Sequence, residues 1–161
     1  MKNSNNIKNI SLNFLKIENL FSNKRENILF DKSNLVSLIK DKKYKEAYAL
    51  TKQNLVSNSK DSDLWYLMAV ISRINNDTNL ASICLKNGLS LNPNDIKLIV
   101  LYCMNCIDKS LFKEALEALK KIEEKELFPE VLNAYALVYR GLEKNNLALE
   151  YFIKTLRLDK S

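Results

Sequence analysis

Four short apolar stretches recur along this chain at a nearly constant interval. "YKEAYAL" (44–50), "TNLASICL" (78–85), "FKEALEAL" (112–119) and "NLALEYF" (146–152) align on Ala47, Ala81, Ala115 and Ala148, which are 34, 34 and 33 residues apart. Upstream of each alanine lies a second apolar stretch: "NLVSLI", "LWYLMAVI", "IVLYCMNCI" and "VLNAYALVY". Their i, i+3, i+4, i+7 spacing predicts helices with one buried face. The polar links "KDKK", "NNDT", "DKS" and "EKNN" have the length of turns between neighbouring helices. A fixed period of this size marks stacked hairpins, each needing its neighbours to bury its apolar face. The hairpins are expected at about 31–61, 62–95, 96–128 and 129–161. With 2 Gly and 2 Pro in 161 residues, the chain lacks the turn formers that a sandwich or barrel needs.

The two prolines fall at hairpin boundaries. Pro93 follows the apolar run ending in "LSL", where it stops one helix, and Asn94 or Asp95 can cap the next. Pro129 opens the last hairpin, where its fixed φ suits a first helical turn.

This pattern resembles the tetratricopeptide repeat (TPR) family over residues 31–161. The best match is the second unit, with Trp65 at the start of its first helix, Ala69 at the close approach of the paired helices, Ala81 on the second helix and Pro93 closing the unit. The resemblance implies an all-α, right-handed solenoid of about four TPR-like hairpins with an N-terminal extension helix. The family's usual first-helix glycine is Ala69, Cys103 and Ala136 here, all small, but Leu35 in the first unit.

Chemistry of other kinds finds little support. With no histidine, the commonest general base and neutral metal ligand is missing. Cys103 and Cys106 form a C-x-x-C, but in mid-helix, with Cys84 as the only other cysteine; they read as small buried residues. The charges in "KKIEEKELFPE" alternate at helical spacing and read as solvated surface. No phosphate loop, nucleophile–base constellation or metal cluster is visible. The expectation is a protein that is not an enzyme and has no catalytic, metal or cofactor site. Dispersed lysines without interleaved aromatics give no nucleic-acid platform. No signal peptide or membrane-length apolar run is seen, so a cytoplasmic location is expected.

Residues 1–30 form a basic extension. Ile7, Ile10, Phe14, Ile17 and Phe21 follow a 3-4-3-4 spacing, an apolar stripe along one helix. Three roles stay open for it: capping the repeat stack, pairing with a partner or second copy, or lying on a membrane surface beside Lys8, Lys16, Lys24 and Arg25. Residues 1–60 carry a net charge of +7 and the remainder −1, so the chain's basic character is N-terminal.

The resemblance also implies a concave groove lined by the first helices of successive hairpins. Lys32, Val36 and Ile39 would come from the first hairpin, and Tyr66, Val70 and Arg73 from the second. Lys97, Val100, Met104 and Ile107 would come from the third, and Asn133, Leu137 and Arg140 from the fourth. This surface is apolar with basic edges and suits a peptide or helix of apolar and acidic character. The family's two-carboxylate clamp for chaperone tails is not matched. Lys32 and Lys97 fit it, but Val36, Leu67 and Leu101 stand where Asn, Asn and Arg are needed. Two readings follow: an adaptor or chaperone-like binder of a partner segment, or a constitutive subunit or scaffold of a larger complex such as secretion, pilus or flagellar machinery. Limited cover over Leu149, Phe152 and Leu156 further suggests a homodimer or a permanent partner, with the N-terminal stripe in the interface.

Overall fold

The structure, a computed structural model, describes residues 32–123 and 128–158. The expected N-terminal helix with its stripe from Ile7 to Phe21 lies outside the described residues, as do Glu124 to Leu127. Eight helices make up the described chain, with no strand among them: α1 (Lys32–Lys40), α2 (Tyr44–Ser57), α3 (Ser62–Ile74), α4 (Thr78–Leu91), α5 (Ile96–Asp108), α6 (Phe112–Leu119), α7 (Pro129–Gly141) and α8 (Asn145–Leu158). They fall into two compact units, one holding α1 to α4 and the other α5 to α8.

Each unit contains two helical hairpins, and every hairpin turns in the same way. Lys42, Asn76, Ser110 and Glu143 sit in the left-handed region with φ of 58–61°. Just after each, a backbone N–H reaches back five residues: Lys43 to Leu38, Asp77 to Ser72, Leu111 to Cys106 and Lys144 to Tyr139, at 2.8–2.9 Å. That is the bond of a Schellman stop, which satisfies carbonyls the ending helix leaves open. The repeating alanines lie five residues after the left-handed position. Their N–H groups make the first turn of the second helix, Ala47 to the Lys43 carbonyl at 3.0 Å and likewise in the other three hairpins. The 34-residue period is therefore a period of backbone geometry as well as of side chains.

Helix starts follow the local chemistry. Asp61 accepts the Asp63 N–H at 3.0 Å, and Asp95 accepts those of Lys97 and Leu98 at 2.9 and 3.3 Å. Both carboxylates satisfy orphan donors of the first turn. Pro129 is the first helical residue of α7, and α4 ends at Leu91, two residues before Pro93.

The hairpin cores are closed by small residues. Ala47, Ala81 and Ala115 are fully buried and Ala148 nearly so. On the first helices Ala69, Cys103 and Ala136 are equally buried, and Leu35 occupies the matching place in α1 with no exposure either. Leu64, Ile71 and Leu85 fill the interior of the first unit, and Leu98, Leu119, Val131 and Val138 that of the second. Gly141 ends α7 against the ring of Phe112, which lies where a Cβ would stand.

Two predictions follow from this packing. Ala81→Leu and Ala115→Leu should each destabilise the fold by about 1–3 kcal/mol through overpacking. Denaturant melts with midpoints equal to the wild type would show that these alanines are not the close-approach points. At the turns, the left-handed conformation costs a residue bearing a Cβ about 1–2 kcal/mol, and glycine's greater unfolded-state freedom offsets about half of that. Lys42→Gly, Ser110→Gly and Glu143→Gly are each expected to stabilise by about 0.5–1 kcal/mol, and Asn76→Gly by less, because Asn tolerates this conformation. Calorimetry checks the order of the four.

Candidate functional site

In the first unit, the residues expected to line a groove are mostly enclosed. Ile39, Tyr66, Val70 and Arg73 are each less than 5% exposed, whereas Val36 is half-buried. The reason is visible along α3, where every residue from Tyr66 to Ile74 is buried. An amphipathic pattern assigns one face to the core, but this helix is enclosed on all sides.

Lys32 has its own partners. Its Nζ donates to Asp61 at 2.9 Å and to Asp63 at 2.7 Å. A lysine in the first turn of a helix opposes the helix dipole. Here the two carboxylates at the start of α3 compensate it and tie the beginnings of α1 and α3 together. Burial works against the ammonium, but the hydrogen bonds and charges of Asp63 and Asp61 outweigh it, so the pKa stands above its ordinary 10.5. The ammonium expected at a groove entrance is thus engaged within the fold.

The second unit keeps more of its candidates accessible. On α5, Lys97, Met104 and Ile107 are half-buried and only Val100 is enclosed, at 4% exposure. On α7, Asn133 and Leu137 are half-buried and Arg140 is exposed. The α5 set is spaced 3-4-3 and the α7 set 4-3, one stripe on each helix. These two first helices pack against each other, and Lys97 begins the α5 stripe while Arg140 ends the α7 stripe.

A tyrosine cluster in this unit has no counterpart among the expected site residues. The rings of Tyr135, Tyr139 and Tyr151 lie 5.0–6.2 Å apart, and the Lys154 ammonium sits 4.9 Å from the centre of the Tyr151 ring. Burial, with the neighbouring phenols Tyr151 and Tyr139, pushes the Tyr135 hydroxyl up to about 12. The near-parallel rings tie α7 to α8. The i, i+4 pair Tyr135 and Tyr139 was legible in the sequence; its partner on α8 needed the hairpin register.

Groups with reactive potential are held inert. The hydroxyls of Thr51 and Ser72 donate to the carbonyls of Ala47 and Met68 one turn earlier, at 2.6 and 2.7 Å. All three cysteines are buried, and burial beside Asp77 raises the Cys84 thiol to about 11, far from the thiolate that reactivity requires. Among the described residues, no group of three or more Cys, Asp or Glu is placed to hold a metal. No described helix is long and apolar enough to cross a membrane.

The Lys32 pairing predicts a pH dependence. Folding raises this pKa, so the contribution is complete below the unfolded lysine value and is lost as pH climbs through the higher folded one. Lys32→Met should lower stability at neutral pH by about 1 kcal/mol or less, since all three side chains remain partly hydrated. The gap to wild type should close as pH rises above 10.5. Urea titrations at a series of pH values test this, and a gap that stays constant through that window would refute it.

The sequence matches a tetratricopeptide repeat family over residues 29–161. Among curated proteins no sequence matches it significantly. Several solved structures share its fold at low identity. PilF of Pseudomonas aeruginosa superposes with a TM-score of 0.73 and 20% identity, covering 80% of this chain and 59% of that one. The MamA RS-1 ArsTM double mutant gives 0.70 and 18%, covering 80% and 73%. YrrB, described as a TPR protein with an unusual peptide-binding site, gives 0.67 and 21%, covering 77% and 64%. The helical hairpins, their period and these likenesses agree on an all-α solenoid fold: the chain belongs to the tetratricopeptide repeat family.

Proposed function

We propose that this chain is a protein–protein interaction module that receives a partner segment of apolar and acidic character along its first helices. The observation that carries this reading is the pair of adjoining stripes on α5 and α7. Met104, Ile107 and Leu137 keep part of their apolar surface accessible there, with Lys97 and Arg140 at the ends. An accessible apolar strip edged by one sign of charge suits a ligand with apolar anchors and carboxylates, the charges setting orientation and on-rate more than affinity. Residues enclosed in the first unit contribute to this reading by holding α3 rigid, not as contacts; Val36 is the accessible candidate there. YrrB, with its peptide-binding site, has the same fold and makes a peptide ligand a natural first probe.

The family's usual role as an interaction scaffold and the inert state of the buried cysteines and hydroxyls both favour binding over catalysis. A cytoplasmic location fits the same reading.

Display of random dodecapeptides against the wild type and against a Met104→Glu, Leu137→Glu double variant tests it. Selected peptides should be rich in apolar and acidic residues. They should bind the double variant at least tenfold more weakly at a temperature where its helicity equals that of the wild type. Arg140→Glu should slow association and reduce its dependence on salt. Peptides of no common character, or equal binding to the double variant, would sink the proposal.

A further inference from the structure

The last helix carries a second apolar surface, separate from the α5–α7 stripes. On α8, Leu149 and Leu156 are each 60% exposed and Ile153 is 40% exposed, with Phe152 half-buried beside them. At 100° per residue these four fall within an arc of about 100°, the width of a face that helices normally bury. Ala148, Tyr151 and Thr155, the more enclosed residues of α8, occupy the adjoining sector, and Tyr151 there meets the rings of Tyr135 and Tyr139. Contiguous apolar surface of this kind marks an interaction site far more often than scattered exposed side chains do.

The order of residues on that face identifies its occupant. Reading outward from the point between Phe152 and Ile153, the pattern is the same in both directions: Phe152 mirrors Ile153, and Leu149 mirrors Leu156. An antiparallel copy of the same helix therefore sets an apolar residue opposite each of the four. The charges along one edge obey the same symmetry. Glu150, Lys154 and Arg157 lie on one flank of the face, with Glu150 bonded to Lys154 within the helix at 2.7 Å. In the antiparallel pairing, the position opposite Glu150 falls beside Lys154 and Arg157 of the second copy. A parallel two-fold pairing would instead put the two charged flanks on opposite sides of the contact, where Glu150 would meet no cation of this set. Self-complementarity of this kind is what an isologous two-fold contact requires.

We propose that α8 is a homodimer interface, two copies pairing their α8 helices antiparallel about a two-fold axis between Phe152 and Ile153. This goes beyond the peptide-binding reading and uses none of its residues. Four apolar side chains per copy make a contact well below the ~800 Å² per partner of a standard stable complex. The dimer is therefore weak, and it presents two α5–α7 surfaces in one particle, raising avidity for a partner with repeated segments.

Sedimentation equilibrium of the full chain across a concentration series tests the pairing. The wild type is expected to convert from monomer to dimer within the series. Leu149→Glu with Leu156→Glu should leave a monomer throughout, with helicity and melting unchanged because these side chains are exposed. Glu150→Arg should weaken dimerisation at least tenfold. Adding Lys154→Glu and Arg157→Glu to it should restore most of that loss, since the reversed charges again complement each other. A wild-type chain that stays monomeric at the highest concentration would overturn the proposal, as would a dimer indifferent to the leucine substitutions. A dimer lost on Ile10→Glu with Phe14→Glu would likewise overturn it, assigning the α8 face to the N-terminal stripe. A charge reversal that fails to restore pairing would refute the antiparallel arrangement.

Discussion

Close approach of paired helices at small residues is the constraint on which the rest of this structure depends. The recurring alanine of each second helix, and Ala69, Cys103 and Ala136 on three of the first helices, all have almost no exposure. Small side chains let backbones come near enough for flanking leucines, isoleucines and valines to interdigitate, and interiors packed at crystal-like density feel even one added methylene. The Schellman turns serve the same end. Each reverses the chain within three residues and holds the second helix at a set distance from the first, so that the alanine five residues on arrives at the contact.

Once the hairpins are closed in this way, side chains outside the contact are free to differ, and the two units use that freedom differently. In the first, α3 is enclosed all round, and Lys32 links the starts of α1 and α3 through Asp61 and Asp63. In the second, α5 and α7 keep Met104, Ile107 and Leu137 partly accessible, while a tyrosine stack secures α7 to α8. Repeats of one period thus differ in how much of their first helices stays accessible.

The described cysteines serve packing. A cysteine whose thiol stands near 11 is essentially all protonated at neutral pH, and it behaves as a small hydrophobe. Both cysteines of the C-x-x-C motif are packing residues: Cys103 is fully buried at the position that Ala69 and Ala136 hold in other hairpins, and Cys106 is buried one turn later.

The sequence by itself determined the period, the helical class and the small residues that the structure buries. All of these are encoded in local spacing, 3.6 residues per turn and 34 per unit, and in the stop signals at Pro93 and Pro129. The left-handed turn residues carried no such signal. Lys42, Ser110 and Glu143 are not the residues that this conformation favours; the Schellman hydrogen bonds of each turn accompany it, and the packing of the paired helices has to offset its cost. Which groove candidates remain accessible was also decided in three dimensions. Tyr66, Val70 and Arg73 share the spacing of Met104 and Ile107, yet α3 is buried on every side and α5 is not. Spacing tells which residues share a face. Only the assembled neighbours decide whether that face meets protein or water, because burial is a property of the whole packed unit.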